Sequence, residues 1–250
     1  MSAMPTVSTV GTRPSDRGYY TDSAFGCTIV ATDPSDRPDL WERFLDGAHR
    51  SYVHHDVFSA LDYDVIRDGS TTSLFFCAID PAGRMLAGAR LQGPYSDARQ
   101  THADSEWRSH PDGRTRLRRM VNDRLSEGVV ELKTGWVDGA APRTSKLADM
   151  IGYAGPLGCL LLDARYALVT AADHVLSMWQ DAGAVVALDV EPASYPDDRY
   201  RTRALWWDTR SFRDVAAPDH VRRMDNASRQ LVRTRAVSER PHLAPSGAIS

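Results

Sequence analysis

One stretch of the chain, residues 128–148, holds side chains that are able to do chemistry: the carboxylate of Glu131 and the cations of Arg143 and Lys146. The β-branched and aromatic residues around Glu131 indicate a strand, and the Gly-Ala-Ala-Pro run that follows ends it. A Thr-Ser pair then favours a helix N-cap, and an apolar helical pattern comes after it. Cations at a helix N-terminus oppose the helix dipole, unless an anion binds there together with the free backbone N–H groups. The stretch therefore predicts an acid on an apolar strand beside an anion site suited to phosphate.

The elements before and after this stretch indicate an α/β protein with a mixed sheet, because strands joined by hairpins alternate with helices. Apolar runs at 73–80 and 85–91 flank a Pro-Ala-Gly turn and predict a β-hairpin. Helical periodicity predicts helices over 38–61 and 113–127, with a polar loop over 93–111 between the hairpin and the second helix. Further elements are predicted downstream: a helix over 147–165 interrupted at Gly155-Pro156, a strand over 166–171, a helix over 173–182, and strands over 184–190 and 203–209.

Two motifs in this order of elements resemble the GNAT acyltransferase superfamily, in particular its autoinducer-synthase and N-acyl amino acid synthase branch. Residues 143–148 read Arg-Thr-Ser-Lys-Leu-Ala, similar to the GNAT pattern Q/R-x-x-G-x-G/A, with Lys146 in place of the first glycine. The hairpin is similar to the cadence D-x-x-G-R-x-x-G-x-x-R-L, with Arg90 one position early. The resemblance covers about residues 39–208. The departure from it at Lys146, where the family has glycine, fits a donor that is held partly by side chains.

The resemblance implies a GNAT-like fold with a mixed, mostly antiparallel central sheet and helices on both of its faces. The strand that carries Glu131 and the next strand, 166–171, are expected to splay apart so that pantetheine lies between them. The donor is expected to be acyl-CoA or an acyl carrier protein, with no permanently bound cofactor and no metal. Donor binding is assigned to six residues: Trp136, Val137, Arg143, Thr144, Ser145 and Lys146.

Attack of an amine on a thioester is helped by a base, worth roughly 10²–10⁴-fold in rate. The resemblance assigns this role to Glu131, because this strand carries the acid in many members of the superfamily. Burial on an apolar strand is expected to raise the pKa of such a carboxyl. A structural ion pair of Glu131 with Arg119 or Lys133 is the alternative, and Glu191, at the end of a predicted strand, is the second candidate base.

The developing oxyanion needs a hydrogen-bond donor, worth roughly 2.7–4 kcal/mol. The backbone N–H near Trp136 or Val137 is the candidate, and Tyr195 or Tyr200 is a candidate to reprotonate the leaving thiolate. Each tyrosine has packing as its alternative role.

The acceptor is expected to be a small-molecule amine such as an amino acid. Arg50, followed by Val57-Phe58, resembles an Arg and a Val-Phe pair that face the acceptor in the family, and Arg90 is a further candidate for substrate binding. Tyr63-Asp64 resembles the Trp-Asp pair of autoinducer synthases. The acidic cluster that those enzymes use downstream is absent, which disfavours S-adenosylmethionine as the acceptor.

Composition excludes several classes of function. The 250 residues carry a net charge of −3, so nothing draws the chain as a whole to nucleic acid. No apolar run approaches the roughly 20 residues of a membrane helix, and the N-terminus lacks the pattern of a signal peptide. The three cysteines lack metal spacing and indicate reduced thiols in a cytoplasmic protein, and His54-His55 lacks a third ligand. Neither a serine-hydrolase elbow nor a nucleotide-binding glycine motif occurs.

The sequence thus predicts three regions: a disordered N-terminal arm over 1–23, a GNAT-like acyltransferase domain over 24–211, and a peripheral basic helix with a tail over 212–250. The predicted activity is N-acyl transfer. A non-catalytic acyl-CoA-binding module and a protein-interaction domain are the alternatives. The arginines of the helix at 114–124 are a solvated face, a docking surface for an acidic acyl carrier protein, or a site for the CoA 3′-phosphate. They are Arg114, Arg116, Arg118, Arg119 and Arg124.

Overall fold

A computed structural model of the chain describes residues 12–13, 15–142 and 145–238. An eight-stranded sheet runs through it in the order β1-β2-β3-β4-β5-β6-β8-β7. The strands are β1 Gly18–Asp22, β2 Cys27–Thr32, β3 Leu74–Ile79, β4 Met85–Gln92, β5 Val129–Val137, β6 Tyr166–Ala172, β7 Val185–Val186 and β8 Thr202–Asp208. Only the β5–β6 pair is parallel among these strands. The predicted mixed, mostly antiparallel sheet is confirmed.

Helices cover both faces of this sheet, as predicted. They are α1 Pro38–His54, α2 Tyr63–Ile66, α3 His102–Glu106, α4 Pro111–Asn122, α5 Leu147–Leu162, α6 Leu176–Asp181, α7 Phe212–Val215 and α8 Pro218–Ser238. Alternate residues of β3 show the two faces, because side chains along a strand point in opposite directions. Leu74 and Phe76 pack with α5 and α8, whereas Phe75 and Cys77 pack with α1.

The predicted hairpin is formed by β3 and β4 and closes as its sequence suggests. Gly83 has a φ of 80°, which favours glycine, and its N–H donates to the carbonyl of Asp80 at 2.9 Å. The Asp80 carboxylate accepts from the Arg84 guanidinium at 2.9 Å. The turn thus fixes the register in which β3 meets β4.

Helix α5 runs without a break through Pro156, so the predicted interruption at Gly155-Pro156 is wrong. Glycines let the helix lie close to its neighbours: a Cβ on Gly155 would come within 2.7 Å of the Trp207 ring, and one on Gly158 within 2.3 Å of Leu91. The close packing of α5 on both β4 and β8 outweighs the hydrogen bond that the proline removes.

Three other predictions need correction. The loop predicted over 93–111 contains a 3-10 turn at Ala98–Gln100 and the helix α3. The strand predicted over 184–190 forms only at Val185–Val186, and the helix predicted over 38–61 ends at His54. A 3-10 turn at Phe58–Leu61 follows instead.

The two ends of the described chain pack on each other, which corrects the predicted region boundaries. The arm predicted over 1–23 contains β1, while positions 1–11 and 14 lie outside the described residues. Helix α8 is basic as predicted but not peripheral, since Met224, Ala227 and Leu231 are buried in the main core. Gln230 accepts from the Thr21 N–H of β1 at 3.0 Å, so the polar side of the helix covers the edge of the sheet.

Among the residues that the structure describes, no helix has the length and apolar character needed to cross a bilayer.

Candidate functional site

A cavity of about 530 Å³ lies where β5 and β6 part. The two strands pair from Val129 with Tyr166 to Leu132 with Val169. Both strands continue beyond that point, to Val137 and Ala172, without further pairing to each other. The predicted splayed pair is therefore confirmed, and it leaves backbone groups of β5 facing the cavity.

A bulge in β5 contributes to this parting. Gly88 of β4 pairs with Trp136 and Arg90 pairs with Lys133, so β5 has one residue more than β4 over the same length. Thr134 lies in the bulge with a φ of 50°, a strained conformation for a β-branched residue. The Arg90 guanidinium donates to the Thr134 hydroxyl at 3.0 Å and holds it there.

Arg90 itself lies behind the cavity wall, with 2% of its surface exposed. Burial lowers the pKa of its guanidinium, although nearby phenol and carboxyl groups counteract this effect. Its second described contact is with the Thr72 hydroxyl, at 3.3 Å. Arg90 was predicted to bind substrate. In the structure its contacts support β5, the strand that lines the cavity.

Part of the cavity wall comes from two separate segments of the chain. The end of α1 and the turn after it contribute Ser51, Tyr52, His55, Val57 and Ala60, and the segment before β8 contributes Tyr195, Pro196 and Tyr200. Arg199 connects these two segments by donating to the Asp56 carboxylate at 2.9 Å and to the Asp56 carbonyl at 3.1 Å. The apolar end of the cavity is formed by Ile151, Val175, Met178 and Trp179.

A chain of charged groups leads from the protein surface to the polar end of the cavity. Asp62, whose side chain is 42% exposed, contacts His102 Nε2 at 2.6 Å, and His102 Nδ1 contacts Glu106 Oε1 at 2.8 Å. Lys133 Nζ donates to the same Glu106 oxygen and, at 3.3 Å, to the Thr170 hydroxyl. Glu106 and Lys133 both line the cavity.

These contacts determine the charge states of the chain. Burial disfavours the Glu106 carboxylate, but Lys133 and then His102 outweigh burial and lower the pKa of Glu106 to about 2. Burial and Lys133 both oppose a charged His102 ring, yet the hydrogen bonds to Asp62 and Glu106 prevail and raise the pKa of His102. Burial likewise disfavours the Lys133 ammonium, and its attraction to Glu106 raises the pKa nonetheless. Each carboxylate in the site thus contacts a group whose charged form it favours.

Glu131, the predicted base, is fully buried and has donors on both of its oxygens. Its Oε2 accepts from the His102 N–H at 2.7 Å and from the Tyr95 hydroxyl at 2.9 Å, and its Oε1 accepts from the Ala103 N–H at 2.9 Å. Two of the three donors are backbone groups at the start of α3, where an anion is favoured. The geometry therefore favours a role in positioning α3, and Lys133, predicted as an ion-pair partner, contacts Glu106 instead.

Glu191, the second candidate base, is not brought to the cavity. Its side chain is exposed, and its carbonyl accepts from Trp107 Nε1 at 2.7 Å. Trp136 is among the residues that line the cavity, and its ring is buried against α1, where a Cβ on Gly47 would lie 2.1 Å from it.

The backbone N–H of Val137 is the better candidate for an oxyanion donor. The Asp138 N–H points toward β4, since it donates to the Leu86 carbonyl at 2.8 Å. Because successive N–H groups of a strand point to opposite sides, the Val137 N–H points away from β4 and toward the gap. Val137 also lines the cavity.

The predicted anion site is described only in part, because Arg143 and Thr144 lie outside the described residues. Lys146 is the N-cap residue of α5 and is exposed. Ser145, predicted as an N-cap, donates its hydroxyl to the Pro142 carbonyl at 2.6 Å instead. The helix start thus has no side-chain cap.

The two remaining acceptor-site predictions lie beside the cavity and not in its lining. Arg50 is largely exposed and donates to Asp138, directly after β5, at 3.3 Å. Phe58 is 42% exposed and packs edge-on against the His49 ring, with the centroids 4.9 Å apart.

The predicted arginine surface on α4 is partly neutralised within the chain. Arg114 and Arg118 both bind the Asp104 carboxylate, at 2.6 and 2.5 Å. Arg124 lies over the rings of Tyr166 and Trp206 at 5.4 and 5.1 Å. These three arginines therefore have structural partners.

Sequence reasoning missed His102, Glu106 and Asp62. The first two are four residues apart in a run that is too short and polar to show helical periodicity. A His and a Glu at this spacing share one face of a helix, and this was the signal available. Within the described part of the chain, no group of three His, Cys, Asp or Glu side chains is arranged to hold a metal ion.

Comparison with known proteins gives relatives in sequence and in structure. No model of a known protein family matches the chain. The uncharacterized proteins Rv1356c of Mycobacterium tuberculosis and Mb1391c of Mycobacterium bovis are each 44% identical to it over 207 residues. In both cases the match covers 83% of this chain and 78% of the relative.

Three solved structures share the fold at low sequence identity. FeeM, an N-acyl amino acid synthase from uncultured soil microbes, is 10% identical with a TM-score of 0.52, over 77% of this chain and 96% of its own. MesI, a CoA-dependent acyl-homoserine lactone synthase, is 16% identical with a TM-score of 0.51, over 74% and 93%. BjaI, also a CoA-dependent acyl-homoserine lactone synthase, is 16% identical with a TM-score of 0.50, over 78% and 97%. The chain therefore has the GNAT fold predicted from its sequence.

Proposed function

We propose that this chain, which belongs to the family of the mycobacterial proteins Rv1356c and Mb1391c and has the GNAT fold, is an N-acyltransferase. It moves an acyl group from a thioester to the amine of a small molecule by direct attack of the amine. The observation that carries this proposal is the parting of β5 and β6 after Leu132 and Val169, which opens the cavity. A gap between strands offers unpaired backbone groups to an extended, amide-containing donor such as pantetheine.

The cavity is divided in a way that suits such a reaction. Its apolar end, near Ile151 and Trp179, is able to hold an acyl chain, while Glu106 and Lys133 form a polar end. The Val137 N–H lies further along β5 than Lys133 and is suited to the oxyanion of the tetrahedral intermediate. Holding donor and acceptor together in this way lowers a barrier by roughly 7–11 kcal/mol.

The donor is acyl-CoA or an acyl carrier protein. Two of the structural neighbours are CoA-dependent synthases, which supports CoA. Arg143, Thr144, Ser145 and Lys146 are the residues proposed to hold its phosphates, and the exposed Lys146 at the start of α5 supports this assignment. A carrier protein would use the α4 face instead, where Arg116 and Arg119 contact neither a carboxylate nor an aromatic ring within the described residues.

The acceptor is a small amine, and an amino acid is the candidate that the FeeM likeness supports. The activity is expected in the cytoplasm, where acyl-CoA is available.

Incubation of the purified protein with octanoyl-CoA and a mixture of amino acids tests the proposal. Mass spectrometry is expected to detect a new amide, and a thiol reagent is expected to detect released CoA. Ala172→Trp, which fills the cavity wall, is expected to abolish product, whereas Leu188→Trp, at an exposed position, leaves it unchanged.

Three results would separate the alternatives. Binding of octanoyl-CoA without consumption, with amines and carrier-protein donors supplied in excess, would favour the non-catalytic acyl-CoA-binding module. Octanoyl-CoA that neither stabilises the fold nor is consumed, together with an inactive octanoyl carrier protein, would refute the acyltransferase. Consumption of the carrier-protein donor alone, lost in Arg119→Glu, would assign the donor to the α4 face.

A further inference from the structure

One carboxylate oxygen at the polar end of the cavity has no hydrogen-bond partner among the described residues. It is Oε2 of Glu106, and the side chain that carries it is 0% exposed. The other oxygen, Oε1, is saturated by Lys133 and His102. Glu106 is among the residues that line the cavity, and its Oε2 is an acceptor that the described residues leave unused.

An unused carboxylate oxygen in the interior is costly. Leaving a buried polar group unsatisfied costs about 1–3 kcal/mol, and more for a charged group. The neighbouring residues hold Glu106 in position despite this cost. Glu131 accepts hydrogen bonds from the start of α3, and Asp62 contacts the outer side of His102. These contacts fix the carboxylate, with Oε1 occupied and Oε2 without a partner among the described residues. This is the arrangement expected of a ligand-binding atom.

We propose that Glu106 binds the acceptor amine, with Oε2 accepting a hydrogen bond from the acceptor's N–H group. This inference rests on the proposed function and adds to it the residue that orients the nucleophile. With one N–H directed to Oε2, the nitrogen lone pair is free to face the thioester carbonyl. The ligand is therefore small at its reacting end and carries an N–H donor there.

Glu106 is a hydrogen-bond acceptor in this step and not a store for the proton. Its pKa of about 2 makes it too weak a base to hold a proton taken from an amine. The neutral amine attacks the carbonyl carbon, the C–N bond forms, and the C–S bond breaks with its electron pair on sulfur. The proton that nitrogen loses ends on that sulfur, so the products are an amide and a thiol.

The charged groups around Glu106 determine the pH range of the test. Lys133 of β5 and His102 of α3 contact it directly, and Asp62 lies beyond His102. Tyr195 from the segment before β8 and Tyr52 of α1 line the same cavity, and burial raises the pKa of both phenols. At pH 7.5 Glu106 is therefore ionised and both phenols are neutral, so binding measured there reports on the carboxylate.

The binding test uses methylammonium as the probe and tetramethylammonium as a cation without N–H groups. NMR titration of the wild-type protein at pH 7.5 is expected to give a Kd for methylammonium at least tenfold below that for tetramethylammonium. Glu106→Gln keeps an oxygen for Lys133 but presents an NH₂ group to the cavity, so this difference is expected to vanish. Glu191→Gln, at an exposed position, is the matched control and is expected to keep it.

Equal affinities for the two cations in the wild-type protein would overturn the proposal. So would a preference for methylammonium that survives in Glu106→Gln. In case the variant does not fold, NOEs in the wild-type protein provide a second measurement. Methyl protons of methylammonium are expected to show NOEs to Thr170 and Tyr195, and NOEs confined to other residues would refute the assignment.

Turnover separates this proposal from the proposed function. With octanoyl-CoA, hydroxylamine gives a hydroxamate through an N–H nucleophile, and dithiothreitol gives a new thioester without one. Glu106→Gln is expected to slow hydroxamate formation at least tenfold and thioester exchange less than twofold. Equal slowing of both would refute the role of Glu106. A wild-type protein that binds methylammonium through Glu106 but consumes no octanoyl thioester would refute the acyltransferase and retain the amine site.

Discussion

The Glu131→Gln substitution decides whether this buried acid positions α3 or takes a proton. In the positioning role, Glu131 accepts two backbone N–H groups of α3 and the Tyr95 hydroxyl. A hydrogen bond to a charged group contributes roughly 1.5–3 kcal/mol, and a glutamine in this place removes the charge and turns one acceptor into a donor. At least one N–H of α3 then loses its partner. The expected loss in the free energy of unfolding is about 2–4 kcal/mol.

Thermal unfolding followed by circular dichroism measures this loss. For a chain of roughly this size, 1 kcal/mol shifts the Tm by about 2–4 °C, so a decrease of about 4–16 °C is expected. Glu191→Gln removes the same charge at an exposed position and is expected to shift the Tm by less than about 1 °C, as is usual for surface substitutions. Octanoyl-CoA turnover by both variants is measured in parallel.

One result would refute this reasoning. A Glu131→Gln protein with the wild-type Tm, intact octanoyl-CoA binding and abolished amide formation would show that Glu131 is the base, as the family resemblance implies. A destabilised variant that loses turnover in proportion to its folded fraction would support the positioning role.

Three further predictions concern ionisation and packing. The pKa of Glu106 is lowered from 4.5 to about 2 in the folded state. Its carboxylate therefore contributes stability that is present above about pH 4.5 and is lost as the pH falls toward 2. Urea titrations of the wild-type protein and of Glu106→Gln are expected to show that the difference in their unfolding free energies shrinks over that interval. Gly47→Ala places a Cβ 2.1 Å from the Trp136 ring and is expected to cost about 1–3 kcal/mol by overpacking, while Gly139→Ala, with nothing within 4 Å, is expected to be neutral in the same urea titrations. Burial raises the pKa of all three thiols, to about 11 for Cys27 and about 12 for Cys77 and Cys159, so a thiol reagent at pH 7.5 is expected to leave the native protein unmodified and to label three sites after unfolding.

The parts of the fold that could be predicted are those with a local signal. The hairpin of β3 and β4 has apolar runs on both sides of a turn that needs glycine at its third position. Strand β5 is rich in strand-forming residues and ends at a glycine-rich break. The parting of β5 from β6 came from the resemblance, since nothing in either strand shows on its own where their pairing stops.

Helix α3 could not be predicted because long-range contacts hold it. It has five residues, and a helix of that length is not stable by itself. Its N-terminal N–H groups are satisfied by Glu131, which lies almost 30 residues further along the chain. The same reason explains why His102 and Glu106 were missed, since their surroundings come from Asp62 and Lys133 on other elements.

Helix α8 shows the opposite case. Its sequence has a local signal for an apolar face, but in the prediction its arginines outweighed that signal. Its arginines suggested a solvated helix, yet Met224, Ala227 and Leu231 recur at the spacing of one helical face. All three are buried in the core, and Gln230 bonds the edge of β1. A basic surface on a helix therefore says little about whether its other face is part of the core.

The positions of two acids explain how a single strand is able to organise the whole site. Glu131 lies on β5 at the last part of the paired region, and there it fixes the start of α3. One turn further along α3, Glu106 reaches Lys133, which follows Glu131 on β5 by two residues and comes directly after the paired region. Glu131 of β5 thus anchors α3 through backbone donors, and α3 in turn brings Glu106 to Lys133 of β5. Within the described residues, only the second acid has an oxygen without a partner, and the proposed contact with the acceptor therefore lies on α3 and not on β5.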